Sequence, residues 1–393
     1  MKNYKMIIKG YDFGPYVEKI VIDWGEMLDL PKPGDFTLHV RKQGNFFNET
    51  PEIEGNREII GSYMEGSDLI LELDVHPSCN LGNALSVSKL EKGPGKFYIG
   101  NGWSKPYDYR LTYKGEDCRL KLIGVEKEIA DLFESGAFVA ADGIRLQYAY
   151  FAPAEAKNSK RPLIIWLHGA GEGSYFETQP ADIAIIGNKV VAFADSPMQE
   201  LIGGAFVLAP QTSTMWMDNG EGAYTQDGTS KYGEALAELI ESFIDTNPSI
   251  DAKRVYIGGC SNGGFMTMKM LFMRPNLFAA AFPVCQGYKP EWVTDEMINQ
   301  IKHIPIWQIH AKNDGLLPYT IAEETHKRLL DAGAKDPNIT VFENMVSLCG
   351  NWKDKDGNPW EYDGHWSWIH AFNNDVKNDK TSLFEWLAMQ VQK

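Results

Sequence analysis

No stretch of this chain approaches the roughly 18 consecutive apolar residues that a membrane-spanning helix requires. Residues 1–10 alternate polar and apolar side chains and lack the continuous apolar core of a signal peptide. Cysteine is scarce. Cys79, Cys118, Cys260, Cys285 and Cys349 are scattered, odd in number and form no C-x-x-C pair, so neither a zinc site nor a disulfide framework is indicated. A reducing, cytoplasmic setting is the expectation. Basic residues are also in short supply, 38 against 53 acidic ones, for a formal net charge of -15. Such a surface repels phosphate backbones and anionic lipid, so neither nucleic acid nor membrane is an expected partner. Internal repeats, low-complexity segments and redox-cofactor motifs are missing too.

What is present is enough for two domains. The 393 residues are 44% hydrophobic and 12% aromatic, which suffices for a substantial core in a catalytic-sized domain. In the first third, short runs rich in branched and aromatic residues recur at 19–23, 35–40, 68–75 and 110–113. Turn clusters at 31–34 and 92–95 punctuate them, a spacing that predicts an all-β sandwich of immunoglobulin-like architecture. From about residue 130 the rhythm changes. Apolar runs at 162–168, 205–209, 254–258, 279–285 and 304–310 alternate with amphipathic stretches, notably 231–246 and 321–332. Buried strands alternating with helices imply a mostly parallel sheet covered on both faces, an α/β fold. The change of rhythm at 124–134 predicts an all-β accessory domain over 1–124 and an α/β domain over 125–393.

The most informative segment reads Gly259-Cys-Ser-Asn-Gly263, with a β-rich run before it and a helical pattern (265–273) directly after. This is G-x-S-x-G in its strand–turn–helix setting, which lifts the serine hydroxyl above the sheet and uses flanking glycines to let the helix pass close by. Ser261 is therefore the candidate nucleophile, the bland alternative being a glycine-rich turn. A serine needs a base, and the base a carboxylate to orient it, in the order Ser, Asp or Glu, His. Asp314 follows the apolar run 304–310 and so lies at the sheet edge where catalytic groups collect, although a turn former or helix cap would look the same. His365 lies past the last strand candidate (339–342) and before the final helix (381–390), as a base reaching over the serine should. His370 is its near competitor, and His310, at a strand end, a weaker one.

Acyl transfer also needs donors for the developing oxyanion. The Asn262 amide, next after the nucleophile, is one candidate. The second should come from the glycine-dense loop His168-Gly-Ala-Gly-Glu-Gly173, where Ala170 is first choice and Gly169 stands behind it. No G-K-[ST] accompanies that loop, which argues against a nucleotide site. Glu172 is expected to tie the loop down by an ion pair. Four of the 11 tryptophans fall between Trp352 and Trp368, and Trp216 sits in another loop. Trp216 and Trp366 are candidate substrate walls, with simple loop packing as the alternative. The stretch 354–358 breaks calcium-loop spacing and reads as a hairpin turn.

Together LHGAGEG, FVLAPQ, VYIGGCSNGG, IHAKNDGLLP and GHWSW resemble the α/β-hydrolase esterases related to polyhydroxybutyrate depolymerases and to the prolyl-oligopeptidase superfamily. The likeness is to the branch in which an immunoglobulin-like domain precedes the esterase domain. It covers about residues 160–370, and by it Ser261, Asp314 and His365 match the triad positions. Cys260 departs from the small or apolar residue common there, and the segment 349–362 is longer than the resemblance leads one to expect. The implied activity is a serine carboxylesterase working through an acyl-enzyme on a small-molecule or oligomeric ester, without metal or cofactor. Its rivals are a prolyl-oligopeptidase-type peptidase, a feruloyl or aryl esterase, and a binding or adhesion protein with an inert hydrolase fold. Self-association through the exposed sheet faces and edges of the accessory domain is a further expectation.

Overall fold

Strands β1 (Lys2–Tyr11), β2 (Gly14–Asp23), β3 (Phe36–Gln43), β4 (Glu52–Arg57), β5 (Ile59–Glu65) and β6 (Asp68–Leu73) open the chain, followed by β7 (Leu85–Gly93), β8 (Lys96–Trp103), β9 (Tyr107–Tyr113), β10 (Glu116–Cys118) and β11 (Leu120–Lys127). The computed structural model describes residues 1–44, 52–93, 96–157, 159–173, 181–335 and 337–392. The strands form a five-stranded sheet in the order β11-β1-β2-β6-β5, a four-stranded sheet β10-β9-β3-β4 and the ribbon β7-β8. Period-two burial builds the core: Leu38 and Val40 on β3, Ile20 and Ile22 on β2, and Leu69 and Leu71 on β6 are all enclosed. The accessory unit runs to Leu132, eight residues past the expected limit of 124, because β11 pairs in parallel with β1 as far as Lys127 and cannot be cut from it. The turn expected at 92–95 falls partly outside the described residues.

The second unit, Phe133–Lys393, carries one eight-stranded sheet. Its strands are β12 (Glu134–Val139), β13 (Arg145–Phe151), β14 (Arg161–Leu167), β15 (Phe206–Gln211), β16 (Ile250–Cys260), β17 (Ala280–Val284), β18 (Trp307–Ala311) and β19 (Asn338–Phe342), in the order β12-β13-β15-β14-β16-β17-β18-β19. The pairs from β15 to β19 are parallel, while β12 and β13 pair antiparallel at one edge. Strands β15, β17 and β18 are buried along their whole length; β17 is apolar throughout, β15 as far as Gln211 at its end, and β18 encloses Gln308 and His310 among its apolar residues. After β14 the chain moves to β15 on one side and then back to β16 on the other. That reversal places the ends of β14 and β16 at the switch point where an open α/β sheet forms its crevice.

Eight helices accompany the sheet among the described residues: α1 (Ile183–Ile186), α2 (Ser196–Ile202), α3 (Gly233–Thr246), α4 (Asn262–Met273), α5 (Asp295–Ile301), α6 (Thr320–Asp331), α7 (Trp368–Phe372) and α8 (Leu383–Met389). Helix α3 buries Leu236, Leu239, Ile240 and Phe243 at spacings of three and four, each worth about 1.5–3 kcal/mol. Helix α4 is buried almost all round, as a central helix must be. It starts at Asn262 rather than 265, its first turn taking in Gly263 and Gly264. Helix α8 starts at Leu383 rather than 381, because the Glu385 carboxylate accepts the Ser382 N–H at 2.8 Å and closes the first turn.

Candidate active site

Ser261 occupies the single residue between β16 and α4, at φ 56 and ψ -112, outside the regions an L-residue normally visits. The surroundings hold it there. Its N–H donates to Val284 O at 3.0 Å, and its carbonyl accepts the Phe265 N–H at 2.9 Å. No side chain fits beside it. A Cβ on Gly263 would fall on the Leu167 carbonyl, one on Gly259 would come within 2.7 Å of the same oxygen, and one on Gly264 within 2.7 Å of Val284 O. The glycines of the motif are thus required by backbone approaching backbone.

Two strands across, β18 ends and the chain turns through Asp314, whose side chain is wholly enclosed. Its Oδ1 accepts the Leu316 and Leu317 backbone N–H groups at 2.8 and 2.9 Å. Its Oδ2 meets His365 Nδ1 at 2.8 Å and His310 Nε2 at 3.0 Å. Burial alone would raise this carboxyl's pKa, but the hydrogen bonds from His310 and His365 and the latter's charge hold it well below the ordinary aspartate value. The group is therefore a fixed anion across the working pH range. Gly364, next to His365, lets the two loops meet, since a Cβ there would land on the Asn313 carbonyl. His365 also donates its backbone N–H to Asp363 at 2.9 Å and stands edge-on to the Trp368 ring, 5.7 Å between centroids. With Nδ1 committed to the carboxylate, Nε2 is the nitrogen left for proton transfer.

Ser261 is tied laterally to these groups: it bonds to Val284 O, while the Cys285 N–H donates to Ile309 O at 2.8 Å. The structure so brings Asp314 and His365 into contact and sets Ser261 at the same sheet edge. Among the described residues no hydrogen bond joins the Ser261 hydroxyl to the His365 ring, and such contacts commonly tighten only with substrate present. The two competing histidines are accounted for. His370 pairs with Asp375 at 3.2 Å and packs on Phe342, so it belongs to α7's anchoring. His310 is wholly enclosed on β18, its Nε2 shared between the Asp314 carboxylate and Leu317 O.

The loop after β14 lies against the serine turn. A Cβ on Gly169 would sit 3.6 Å from Cys260 Sγ, and Ala170–Glu172 form a short 3-10 turn beyond it. The Gln211 side chain donates to Glu172 O at 2.7 Å. Glu172 is buried, and the Asn188 amide, oriented to donate, reaches its two oxygens at 3.0 and 3.1 Å. An amide therefore does part of what the sequence reading assigned to a cation. Asn262 is buried, and its side-chain oxygen accepts the Met217 N–H at 3.2 Å, which couples α4 to the loop after β15. That loop is held by fully buried Asp218, which accepts from Lys231 Nζ at 2.7 Å, Thr214 Oγ1 at 2.6 Å and the Gly220 and Gly222 N–H groups at 2.9 Å. Nothing in the local sequence singled Asp218 out.

His168 holds the β14 loop from below. Its Nδ1 donates to Gly169 O at 2.6 Å and its Nε2 accepts the Thr212 N–H at 3.2 Å, so both nitrogens need the neutral ring. Burial pushes its pKa from 6.5 down to about 4, the Gly169 carbonyl only partly opposing. The native state then binds fewer protons than the unfolded chain between those values. Stability is fully present above about pH 6.5 and falls as pH drops toward about 4, by roughly 3 kcal/mol at the limit. Urea midpoints measured at neutral pH and near pH 4.5 should show that slope, and His168→Asn should flatten it. An unchanged slope in the variant would mean the ring is not what titrates.

Of the tryptophans, Trp216 corrects the sequence reading. It is completely buried in the core, 5.1 Å from the His168 ring and 6.1 Å from Tyr232, and so is no substrate wall. An indole in a loop pinned by Asp218 gains more from enclosure beneath the loop than from facing solvent. Trp366 is half-buried and 6.2 Å from Trp368, which itself meets His365, so within the tryptophan cluster it is Trp368, not singled out from the sequence, that stands against that ring. Trp352 and Trp360 sit on a hairpin whose turn is closed by Asp354 Oδ1 accepting from Asp356 N and Asn358 N at 2.9 and 2.8 Å.

Comparison with known proteins agrees with this architecture. Residues 149–351 match the family described as phospholipase/carboxylesterase. Poly(3-hydroxyalkanoate) depolymerase C of Paucimonas lemoignei is 30% identical over 129 residues, 32% of this chain but only 28% of the depolymerase. Acyl-protein thioesterase 1 of Eremothecium gossypii is 22% identical over 205 residues, 49% of this chain and 83% of that one. The crystal structure of a thermostable esterase superposes with a TM-score of 0.76 at 25% identity, covering 100% of both chains. With a parallel sheet switching direction at β14 and β16, a strained serine turn and an all-β unit ahead of them, the chain belongs to the phospholipase/carboxylesterase family of α/β-hydrolases.

Proposed function

We propose that this chain is a serine carboxylesterase whose triad is Ser261, Asp314 and His365. The observation that carries the reading is the Asp314 carboxylate, bonded to His365 Nδ1 at 2.8 Å along the same sheet edge that presents Ser261 in its strained turn. That bond fixes the tautomer in which Nε2 can take a proton. His365 then removes the serine proton as the hydroxyl attacks the ester carbonyl, and Asp314 stabilises the imidazolium that forms. The oxyanion is received by the Ala170 and Asn262 backbone amides, each worth about 3–4 kcal/mol in measured cases. His365 returns its proton to the leaving alcohol, and water releases the acid from the acyl-enzyme by the same steps in reverse. The named relatives, an alkanoate depolymerase and an acyl-protein thioesterase, support acyl transfer from oxygen or sulfur over peptide cleavage. Trp366 and Trp368 beside the base favour an apolar or aromatic acyl group.

Fluorophosphonate labelling followed by peptide mapping tests the nucleophile, and nitrophenyl esters of short, medium and long acyl chain run beside dipeptidyl anilides test the class. Label on Ser261 with ester turnover far above anilide turnover is the expected result. A chain that neither labels nor turns over any acyl substrate would hand the case to the binding-protein reading.

A further inference from the structure

His310 is a wholly buried titratable side chain that the acyl-transfer scheme leaves unused. It is the next-to-last residue of β18, so a rigid strand carries it, whereas His365 rides on a loop. Its Nε2 lies 3.0 Å from Asp314 Oδ2 and 3.1 Å from Leu317 O. Both neighbours only accept, so Nε2 bears the proton. Its Nδ1 is buried without a hydrogen-bond partner. A leucine would fill this volume without stranding a polar atom, so the imidazole needs a return beyond packing.

That return lies in the carboxylate. Oδ1 takes two backbone N–H groups and Oδ2 takes two imidazole N–H groups, which fills the four acceptor positions of Asp314. The two rings share one oxygen. A second donor on Oδ2 locks the plane of the carboxylate and draws off part of the negative charge that His365 feels. We propose that His310 is a positioning residue of the hydrolytic site, which orients Asp314 and, by sharing its Oδ2, lowers the basicity of His365. The inference rests on the triad reading above. The other titratable groups near this carboxylate leave the role to His310. Burial and the Asp314 charge push the Cys285 thiol, at the end of β17, well up and keep it neutral, and Asp363 is engaged by the His365 backbone.

Two variants of the full chain separate this role from packing. His310→Leu removes the donor and keeps the bulk, while His310→Gln restores an N–H at nearly the reach of Nε2. In His310→Leu the carboxylate acts undiluted on His365, so the acid limb of kcat/KM should move up by about half to one pH unit. The kcat should fall on the order of 10- to 100-fold with KM little changed, because the lost contact orients the base rather than the substrate. His310→Gln should recover most of both. An acid limb that stays in place or moves down, or equal losses in the two variants, would overturn the proposal. The ¹⁵N shifts of His310 in the wild-type chain give a check that needs no variant: the Nε2–H tautomer is required, and an Nδ1–H tautomer refutes the role. Fluorophosphonate labelling of wild type is run alongside. Failure to label sinks the triad reading itself, whereas labelling with an unmoved acid limb sinks only the part given to His310.

Discussion

Replacing Ser261 by alanine should lower kcat/KM for a nitrophenyl ester by roughly 10⁴-fold or more and abolish fluorophosphonate labelling, because in the proposed mechanism the hydroxyl is the atom that bonds to the acyl carbon. Folding should survive. Ser261 at φ 56 is held by the Val284 carbonyl and by packed glycines, none of which depend on the hydroxyl. Alanine inherits the same backbone strain, on the order of 1–3 kcal/mol, but glycine does not. Ser261→Gly should therefore be equally inactive yet melt a few degrees higher than Ser261→Ala, about 2–4 °C per kcal/mol for a unit of this size. Calorimetry on the pair reads the strain directly, and assays read the chemistry. Residual turnover in Ser261→Ala above about one part in a hundred would show that another group attacks the substrate.

Asp314→Asn should cost nearly as much, about 10⁴-fold in kcat with KM little altered. The magnitude follows from forced geometry. The Leu316 and Leu317 N–H groups, 2.8 and 2.9 Å from Oδ1, require an acceptor there, so the amide oxygen must take that side. The amide nitrogen is then turned toward His365 Nδ1. Facing a donor, Nδ1 has to accept, the ring proton moves to Nε2, and Nε2 can no longer take a proton from the serine. The fold barely changes, since the side chains are isosteric. Pre-steady-state assays would place the loss in acylation, and ¹⁵N shifts of His365 would show the exchanged tautomer. A loss smaller than about 100-fold would mean that the carboxylate neither orients nor stabilises the base. Because hydrogen bonds from both histidines keep Asp314 ionised, the carboxylate should contribute no proton to the acid limb of the wild-type profile.

By itself the sequence determined the two rhythms of the chain, and with them the all-β unit followed by a parallel sheet, because periods of two and of 3.6 are properties of neighbouring residues. It determined the serine turn for the same reason: G-x-S-x-G between strand and helix is a local steric solution, and the glycines that the Leu167 carbonyl requires, Gly259 and Gly263, are in the motif itself. It also placed Asp314 and His365 at the sheet edge that carries the Ser261 turn, by counting strands.

Only the tertiary structure decided which way loop side chains turn and which histidine meets the acid. His310, His365 and His370 are alike in sequence; their roles diverged because Asp314 lies between the first two, while the third faces Asp375. Trp216 went into the core and Trp368 against the His365 ring, though the sequence reading made Trp216 and Trp366 the candidate substrate walls. Strand β11 joined the accessory unit because its partner, β1, lies at the far end of that segment of chain. Where the deciding contact joins distant residues, as His365 with Asp314 and β11 with β1, no local period can register it and only packing determines which faces meet.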